Sequence, residues 1–387
     1  MLIFAARVSV PRLRNRHRSG NMLNGKFDVA VVGATGAVGE AMLALLSERA
    51  FPLGRLALLA SRHSSGKEIL FNGQRLVVND LEHFDPRGID IALLSAGASV
   101  SRQFAPAFAA AGAVVIDNSS AFRQDDGVPL VVTEVNAPAV RRRSRGIIAN
   151  PNCSTMQMLV ALAPIHQAVG IERINVATYQ SVSGAGRSGT RELDRQTPLA
   201  SKHTATCPDR FPVQIAFNII PQVDEFLDNG YTREEMKMVW ETRKILGDPT
   251  VQVNATCVRV PVYYGHSEAV HIETTLKLGA AAAREILAGS PGIVVVDECT
   301  PGGYPTPVTH GAGTDPVYVG RIRDDISHPR GLNMWIVGDN IRKGAALNAI
   351  QIAEIVAREK LASSEFGTLA CMPRRACEEN TLRNVDV

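Results

Sequence analysis

The sequence predicts an α/β protein in which a parallel sheet covered by helices is followed by an α+β domain with a largely antiparallel sheet. Up to Cys153, short continuous apolar runs alternate with helical patterns, which is typical of buried parallel strands joined by crossover helices. After Cys153, longer segments alternate between apolar and polar residues, as antiparallel strands with one exposed face do. The length of 387 residues is sufficient for two such domains.

A glycine-rich turn directly follows the first predicted strand. The strand covers residues 27–32, and a helical pattern covers residues 41–46. Glycines at positions 33, 36 and 39 permit a tight turn and a close approach of the backbone to a pyrophosphate, which then lies at a helix N-terminus. The combination predicts a Rossmann-type dinucleotide site rather than a plain turn. The predicted cofactor contacts here are Gly33, Thr35, Gly36, Ala37, Val38 and Gly39.

The remaining elements continue the two patterns. Further strands are predicted at residues 55–60, 89–94, 113–117, 173–181, 251–260, 266–277, 292–296 and 317–323. Helices are predicted at residues 101–111, 156–162 and 345–361, and we expect the last one to pack on the first domain. The predicted division is an extension (1–26), a dinucleotide-binding domain (27–152) joined by a C-terminal helix (340–362), a second domain (153–339) and a tail (363–387).

The N-terminal extension contains six basic side chains and no acidic one. Such a composition fits a transit peptide, and it also fits a disordered tail or a start site upstream of the natural one at Met22. We favour the last two explanations. N-terminal sequencing of the native protein distinguishes them, because a first residue well before Met22 excludes the start-site explanation.

The overall composition excludes several classes of protein. A net charge of +3 without a concentrated basic stripe gives no reason to expect a nucleic-acid partner. No apolar run reaches the roughly 18 residues that a membrane span needs. The six cysteines are scattered, without zinc-ligand spacing or the density of a disulfide scaffold, so we predict no metal site. Together these features predict a cytoplasmic protein.

The residues after the second strand discriminate between the two nicotinamide cofactors. An acidic residue there would bind the ribose 2′-hydroxyl of NAD. This chain instead has Ser61-Arg62-His63-Ser64-Ser65-Gly66-Lys67, and its hydroxyl, guanidinium and ammonium groups suit a 2′-phosphate. We therefore predict that the cofactor is NADP. The predicted contacts are Ser61, Arg62, His63 and Ser64.

Cys153 is the candidate nucleophile. It stands in Asn150-Pro151-Asn152-Cys153-Ser154-Thr155, directly before an apolar helical run, so we expect its thiol at a helix N-terminus. Unpaired backbone N–H groups and the helix dipole favour the thiolate there, and the thiolate is the reactive form. A cysteine nucleophile predicts acyl-transfer chemistry, which needs a base and a clamp for the electrophile elsewhere in the chain.

Several further segments carry residues suited to such chemistry. They are Ser95-Ala96-Gly97, residues 118–123, Val135-Asn136, residues 179–186, residues 234–237, residues 259–262, Gly265-His266-Ser267 and residues 338–346. Together with Cys153 and the glycine turn, and in this order, they strongly resemble the aspartate-semialdehyde dehydrogenase family. The resemblance extends from residue 27 to residue 354. It implies a homodimer in which the second domain serves catalysis and dimerisation.

The resemblance also implies roles for residues around Cys153. Cys153 resembles the nucleophile that attacks the aldehyde, His266 the acid/base group, and Gln180 the amide that orients the substrate. Arg259 resembles the clamp on the substrate α-carboxylate, which a planar guanidinium binds with two hydrogen bonds. An imidazole suits the acid/base role because its proton exchanges near neutral pH.

The same resemblance implies contacts to the other groups of the reaction. Arg123 and Lys237 resemble the ligands of the phosphate, and Glu234 resembles the residue that holds the substrate amine or orders the site. We expect Asn152, next to the nucleophile, to contact the substrate as well. The remaining cofactor contacts that we expect are Ser183, Gly184 and Asn340.

The implied reaction is the reversible, NADP-dependent oxidation of aspartate 4-semialdehyde to aspartyl phosphate through a Cys153 thioester, with inorganic phosphate as co-substrate. Biosynthetic flux toward lysine, methionine and threonine runs in the reverse direction. One alternative is an N-acetyl-glutamyl-phosphate reductase, but its substrate has no free amine for the Arg259, Glu234 and Lys237 pattern. Another alternative is a catalytically silent NADP-binding paralogue, which would be expected to lack the nucleophile or the base.

Overall fold

The computed structural model describes residues 25–370, with side chains up to residue 362. The prediction for the extension 1–26 lies outside this part except for its last two residues. The prediction for the tail 363–387 also lies outside it, except that residues 363–370 continue the last helix instead of belonging to a loose tail. The described chain forms two sheets, with helices packed on both of them.

The first sheet has seven strands. They are β1 (Phe27–Val32), β2 (Leu53–Ala60), β3 (Glu68–Phe71), β4 (Gln74–Asp80), β5 (Ile91–Leu94), β6 (Val114–Asp117) and β7 (Ile147–Ala149). The spatial order is β3-β4-β2-β1-β5-β6-β7, and every neighbouring pair is parallel except the β3–β4 hairpin. The predicted parallel sheet is therefore confirmed. The chain order changes direction between β1 and β5, and ligand crevices form at such a switch point.

The second sheet has six strands. They are β8 (Ile171–Gln180), β9 (Gln252–Arg259), β10 (His266–Thr274), β11 (Ile293–Val295), β12 (Val317–Asp324) and β13 (Gly331–Gly338). The order is β11-β12-β13-β10-β8-β9. The three inner pairs are antiparallel and the two outer pairs are parallel, so the sheet is mixed but largely antiparallel, as predicted. The sequence analysis missed β13, which lies in the interior of the sheet.

Eight α-helices complete the described fold. They are α1 (Ala37–Glu48), α2 (Ala98–Ala110), α3 (Thr133–Asn136), α4 (Cys153–Val169), α5 (Arg187–Ala200), α6 (Arg233–Leu246), α7 (Ala280–Ala288) and α8 (Asn348–Ala370). Helix α8 packs on the first sheet, because Ile350, Ile352 and Val356 share a core with Val29 and Val31. None of the helices within residues 25–370 is both long and apolar enough to cross a membrane.

Helices α4 and α6 carry Cys153, Glu234 and Lys237 of the candidate site. Residues 156–163 of α4 are buried on every side, which explains why its sequence is apolar without a polar face. Helix α6 begins in a capping box, in which Thr232 Oγ1 accepts from the Glu235 N–H at 3.3 Å and Glu235 Oε2 accepts from the Thr232 N–H at 2.7 Å. It ends at Gly247, whose φ of 68° is the left-handed conformation that glycine adopts without strain.

A buried ion pair joins the segment that leads into α8 to helix α3. Lys343 Nζ lies 2.5 Å from Glu134 Oε2 and donates to Gln351 Oε1 at 3.0 Å. Burial lowers the pKa of Lys343, although Glu134 opposes this effect. Burial alone would raise the pKa of Glu134, but Lys343 outweighs it and the pKa is lowered. Each charge is therefore compensated chiefly by the other.

The substitution Lys343→Met should reduce the free energy of unfolding by about 3–5 kcal/mol, because it leaves the Glu134 carboxylate buried without its cation. Urea denaturation at fixed protein concentration measures this loss. The double variant Glu134→Gln/Lys343→Met removes both charges and should recover a large part of it. Equal stability of the single and double variants would contradict the assigned contribution of the pair.

Candidate active site

Cys153 is the first residue of α4, and Asn152 is its N-cap. Asn152 Oδ1 accepts from the backbone N–H of Ser154 at 3.0 Å and of Thr155 at 3.1 Å. The cap therefore occupies N–H groups that the sequence analysis assigned to the thiolate. The side-chain amide of Asn152 also donates to Glu234 Oε1 at 2.8 Å, which fixes its orientation. The turn before the nucleophile is thus held from several sides.

The thiol of Cys153 is protonated in the resting site. Burial raises its pKa to about 12, and the Glu234 carboxylate acts in the same direction, whereas Arg259 and Arg123 oppose the change. This result differs from the expectation that the helix N-terminus would favour the thiolate. The reason is that desolvation and a nearby carboxylate outweigh the two cations and the helix end.

His266 is the first residue of β10 and is fully buried. Its Nδ1 faces the backbone N–H of Ser181 at 3.1 Å, and because that group can only donate, Nδ1 must be the acceptor. The neutral ring therefore carries its proton on Nε2, which has no partner within the described residues. Burial, assisted by Arg259, lowers the pKa of His266 to about 3. The ring is thus neutral near physiological pH, with Nε2 as an open hydrogen-bond donor.

Arg259 ends β9 and lies beside His266 under the turn that follows β8. Arg259 Nη1 donates to the Ser181 carbonyl at 2.7 Å. The turn includes Gly184, where a Cβ atom would lie 2.8 Å from Arg259 Nη1 and 3.3 Å from His266 Nε2. A side chain at this position would displace the guanidinium or the ring. Glycine is therefore required for the close approach of this turn to both groups.

Asn340 joins this turn to the end of β13. Its Oδ1 accepts from Ser181 Oγ at 3.0 Å, and it also accepts from the Gly265 N–H at 2.9 Å. The Ser183 hydroxyl lies within hydrogen-bond distance of both polar atoms of the Asn340 amide. Ser183 and Asn340, two of the predicted cofactor contacts, therefore form one buried network with the backbone that holds His266.

Glu234 is buried at the start of α6, and its partners order the rest of the site. Besides Asn152, its Oε1 accepts from Gln180 Nε2 at 3.2 Å, and its Oε2 lies 3.1 Å from Lys237 Nζ. Burial alone would raise the pKa of Glu234, but Lys237 and Asn152 outweigh it and hold the pKa at about 2. Lys237 Nζ also lies 2.7 Å from Asp224 Oδ2, so it forms ion pairs with two carboxylates.

Arg123 is held by three acceptors at the carboxyl end of the first sheet. Its Nε donates to the Ser119 carbonyl at 3.0 Å, its Nη2 to the Asn118 carbonyl at 3.1 Å, and its Nη1 to Glu241 Oε1 at 2.9 Å. A guanidinium has five N–H groups, so one on each terminal nitrogen is left for a ligand. Arg123 lines the cavity described next.

Two adjoining cavities meet at Gly36 and Ser95. The first has a volume of about 440 Å³, and the predicted site residues in its wall are Gly36, Ala37, Val38, Arg123, Asn152, Cys153, Ser183, Gly184 and Asn340. The second has a volume of about 370 Å³, and the predicted residues in its wall are Gly33, Thr35, Gly36 and Ser61. The predicted residues that line neither cavity are Gly39, Arg62, His63, Ser64, Gln180, Glu234, Lys237, Arg259 and His266. Of these, Arg259 and His266 lie directly behind Gly184.

The glycine turn fits a dinucleotide. Gly33 has a φ of 84°, and a Cβ atom there would lie 2.5 Å from the Ser95 carbonyl oxygen. A Cβ atom on Gly39 would overlap the Gly33 carbonyl, so helix α1 packs tightly on the turn. The N-cap of α1 is Gly36, which has no side chain to occupy the first N–H groups of the helix. These groups face the first cavity, where they and the helix dipole suit a pyrophosphate.

Two family profiles match the chain. The profile described as semialdehyde dehydrogenase, NAD binding domain, matches residues 28–143, and the profile described as semialdehyde dehydrogenase, dimerisation domain, matches residues 162–343. An aspartate-semialdehyde dehydrogenase of Legionella pneumophila is 57% identical over 336 residues, which are 87% of this chain and 97% of that protein. The chain belongs to the aspartate-semialdehyde dehydrogenase family. The predicted resemblance is thus confirmed. The chain has a nicotinamide-binding domain and is an aspartate-semialdehyde dehydrogenase.

Solved structures of the family share the fold. The crystal structure of aspartate semialdehyde dehydrogenase II from Vibrio cholerae, complexed with ASA, has a TM-score of 0.84 and 56% identity, and the match covers 86% of this chain and 99% of that one. The crystal structure of the enzyme from Candida albicans with NADP has a TM-score of 0.68 and 26% identity, with 87% and 100% covered. The predicted α/β fold class is confirmed by these matches.

Two residues that contact the candidate active site, Glu241 and Gly344, were not among the predicted site residues. Glu241 contacts both Arg123 and the backbone of Asn152. Gly344 lies against the nucleophile, since a Cβ atom there would be 2.7 Å from the Cys153 Cβ. A helical-wheel comparison could have placed Glu241 on the face of α6 that carries Glu234, because the two are seven residues apart.

The raised pKa predicts how Cys153 reacts in the cofactor-free enzyme. Iodoacetamide should modify it slowly at pH 7, and the rate should rise about tenfold per pH unit up to about pH 10, because the thiolate fraction follows the pH below the thiol pKa. Mass spectrometry of the Cys153 peptide measures the rate, and the exposed Cys207 and Cys299 in the same digest control for reagent loss. A rate that levels off below about pH 8.5, the range of an ordinary thiol, would contradict the assignment.

Proposed function

We propose that this protein catalyses the reversible, NADP-dependent, phosphorylating oxidation of L-aspartate 4-semialdehyde to 4-aspartyl phosphate, with biosynthetic flux toward the semialdehyde. The observation that carries the proposal is the wall of the first cavity, which holds the Cys153 thiol, the N-terminus of α1 and the Arg123 guanidinium. These groups provide a nucleophile, a place for a pyrophosphate and a ligand for an anion. Covalent oxidation of an aldehyde with phosphate as acceptor requires all three.

We propose that the substrate is fixed before the chemical steps by the residues behind Gly184. Arg259 can bind the α-carboxylate, because its guanidinium makes one hydrogen bond among the described residues, from Nη1 to the Ser181 carbonyl. Its other N–H groups are left for a ligand. The ionised Glu234 suits the α-amine, and its hydrogen bond to Gln180 orients that amide. The aldehyde would then lie between Cys153 and His266.

The first chemical step is the addition of Cys153 to the aldehyde. A C–S bond forms, the thiol loses its proton and the carbonyl oxygen gains one, which gives a thiohemiacetal. Because the resting thiol is protonated, the proton must move as the bond forms. We propose that His266 Nε2 hydrogen-bonds the oxygen during this transfer, where such a donor contributes roughly 3 kcal/mol to the transition state.

The chemistry that the nicotinamide supplies when bound is acceptance of a hydride. The Cys153 adduct would give that hydride to the nicotinamide and its hydroxyl proton to solvent, and would thereby become a thioester. An oxygen of hydrogen phosphate then attacks the thioester carbon, the C–S bond breaks, and the sulfur leaves as a thiolate that takes up the proton lost by the phosphate. A thiol serves both stages because its thiolate is a good nucleophile and a good leaving group.

We propose Arg123 as the principal ligand of the phosphate. Each of its two terminal nitrogens keeps one N–H group that can donate to an oxygen of the anion. Lys237 remains a predicted second ligand, and to bind phosphate it would have to exchange Asp224 or Glu234. In its present contacts it neutralises the two carboxylates and keeps Glu234 ionised.

The substitution Cys153→Ser should reduce phosphate-dependent reduction of NADP by several orders of magnitude, because the serine hydroxyl is a poorer nucleophile and leaving group. The absorbance of the reduced cofactor, with aspartate semialdehyde and phosphate present, measures the rate. Cys207→Ser removes an exposed thiol and is the matched control. Substantial turnover by the Cys153→Ser variant would refute the thioester mechanism.

The preference for NADP is a separate part of the proposal. Strand β2 ends at Ala60 without an acidic residue, and a short turn at Arg62–Ser64 follows. Ser61 lines the second cavity, and Lys67 Nζ lies 3.3 Å from Ser64 Oγ, which gathers hydroxyl and cationic groups beside it. The Candida albicans relative of the same fold was crystallised with NADP.

The substitution Arg62→Ala should lower kcat/KM for NADP roughly 10- to 100-fold, which corresponds to one charge-assisted hydrogen bond, and should leave kcat/KM for NAD nearly unchanged. Steady-state kinetics with both cofactors measures the two ratios. Arg75→Ala alters an exposed arginine of β4 that pairs with Glu68, and it controls for the loss of a surface charge. A wild-type preference for NAD would overturn the NADP assignment.

We further propose that the second sheet forms a homodimer interface. The profile described as a dimerisation domain covers all six strands, from β8 to β13. Helix α4 covers one face of this sheet, and the opposite face carries a hollow of about 320 Å³ lined by residues such as Asn175, His271 and Asn333. A face of this kind is available to a second copy of the chain.

A further inference from the structure

Glu241 is a buried carboxylate whose two oxygens contact two different parts of the site. It lies two turns after Glu234 on α6 and is 1% exposed. Oε1 accepts from Arg123 Nη1 at 2.9 Å, and Oε2 accepts from the backbone N–H of Asn152 at 2.7 Å. The first contact reaches the loop after β6, and the second reaches the residue before the nucleophile.

The two contacts restrict the motions that matter for phosphate transfer. Arg123 is already bound to two backbone carbonyls of its own loop, so Glu241 supplies its connection to α6. Asn152 caps α4 through its side chain, and its backbone N–H is fixed by Glu241 alone among the described residues. One carboxylate therefore sets the distance between the guanidinium and the start of the helix that carries Cys153.

We propose that Glu241 is a positioning residue that holds Arg123 in register with Cys153, so that the anion bound by Arg123 meets the thioester carbon. This inference rests on the proposed role of Arg123 as the phosphate ligand. Misplacement of a reacting group by about 1 Å can cost roughly 100-fold in rate. Phosphorolysis should therefore depend on Glu241 more strongly than the earlier acylation does. Phosphate takes no part in acylation, so the position of Arg123 matters less in that step.

The chain offers a matched control on the same helix. Glu235 is also buried and also accepts two hydrogen bonds, in its case from the backbone N–H groups of Thr232 and Cys257. Its contacts cap α6 and join it to β9, but they do not include Arg123 or the turn before Cys153. The substitution Glu235→Gln therefore changes a buried carboxylate of α6 without altering the proposed connection.

The test is the substitution Glu241→Gln, examined in the full-length enzyme. An amide has one acceptor oxygen and one donor nitrogen, so it can keep one of the two contacts but turns the other into a donor facing a donor. A single-turnover burst of NADPH with aspartate semialdehyde and without phosphate measures acylation. The subsequent steady-state rate at increasing inorganic phosphate measures phosphorolysis. Thermal unfolding shows how much each variant is destabilised.

We expect the phosphate-dependent kcat of Glu241→Gln to fall roughly 10- to 100-fold, with a burst rate that changes about threefold or less. Arg123→Leu should give the same pattern, and the double variant should be no worse than Arg123→Leu alone, because both substitutions break one unit. Glu235→Gln should keep the wild-type ratio of the two rates.

Two results would overturn the inference. One is an unchanged phosphate-dependent rate in Glu241→Gln, and the other is a burst that slows by the same factor as phosphorolysis, which would make Glu241 a support of the nucleophile turn only. Failure of the proposed function would look different, because the wild-type enzyme itself would then turn over at the same rate with and without phosphate.

Discussion

The capped N-terminus of α4 is the structural element on which the site depends. Asn152 closes the helix with its side-chain oxygen, binds Glu234 with its side-chain nitrogen and binds Glu241 with its backbone N–H. Through these bonds the end of the parallel sheet, the nucleophile and helix α6 become one rigid unit. The groups that must meet a single substrate come from distant parts of the chain, and this junction gives them a common frame.

Positive and negative side chains pair with each other throughout the site, so most of their charges cancel. Arg123 faces Glu241, and Lys237 lies between Glu234 and Asp224. With little net positive charge remaining, burial decides the outcome for the neutral groups, so the thiol stays protonated and the imidazole stays uncharged. Without ligands, the site therefore holds Cys153 as a thiol and His266 as a neutral imidazole.

The parallel strands were accessible from the sequence because they depend on local pattern, whereas the roles of the site residues were predicted from motifs that resemble those of the family. Continuous apolar runs identified the central strands of the first sheet, whereas the β3–β4 hairpin is too exposed and β7 too short to leave a clear pattern. Strand β13 was missed although Leu332, Met334 and Ile336 alternate toward the core. Protonation states and the role of Glu241 were not accessible, since they arise from burial and from contacts between segments over 80 residues apart.

The contact of Gly344 with Cys153 has a consequence for access to the sulfur. The segment that leads into α8 fills the space on one side of the nucleophile so closely that even a methyl group there would overlap it. Cys153 also lines the first cavity, whose wall includes Arg123 and Gly184, so a ligand in that cavity can reach the nucleophile. An electrophilic inhibitor designed against this thiol would enter through this cavity, where an anionic group on it can pair with the Arg123 guanidinium.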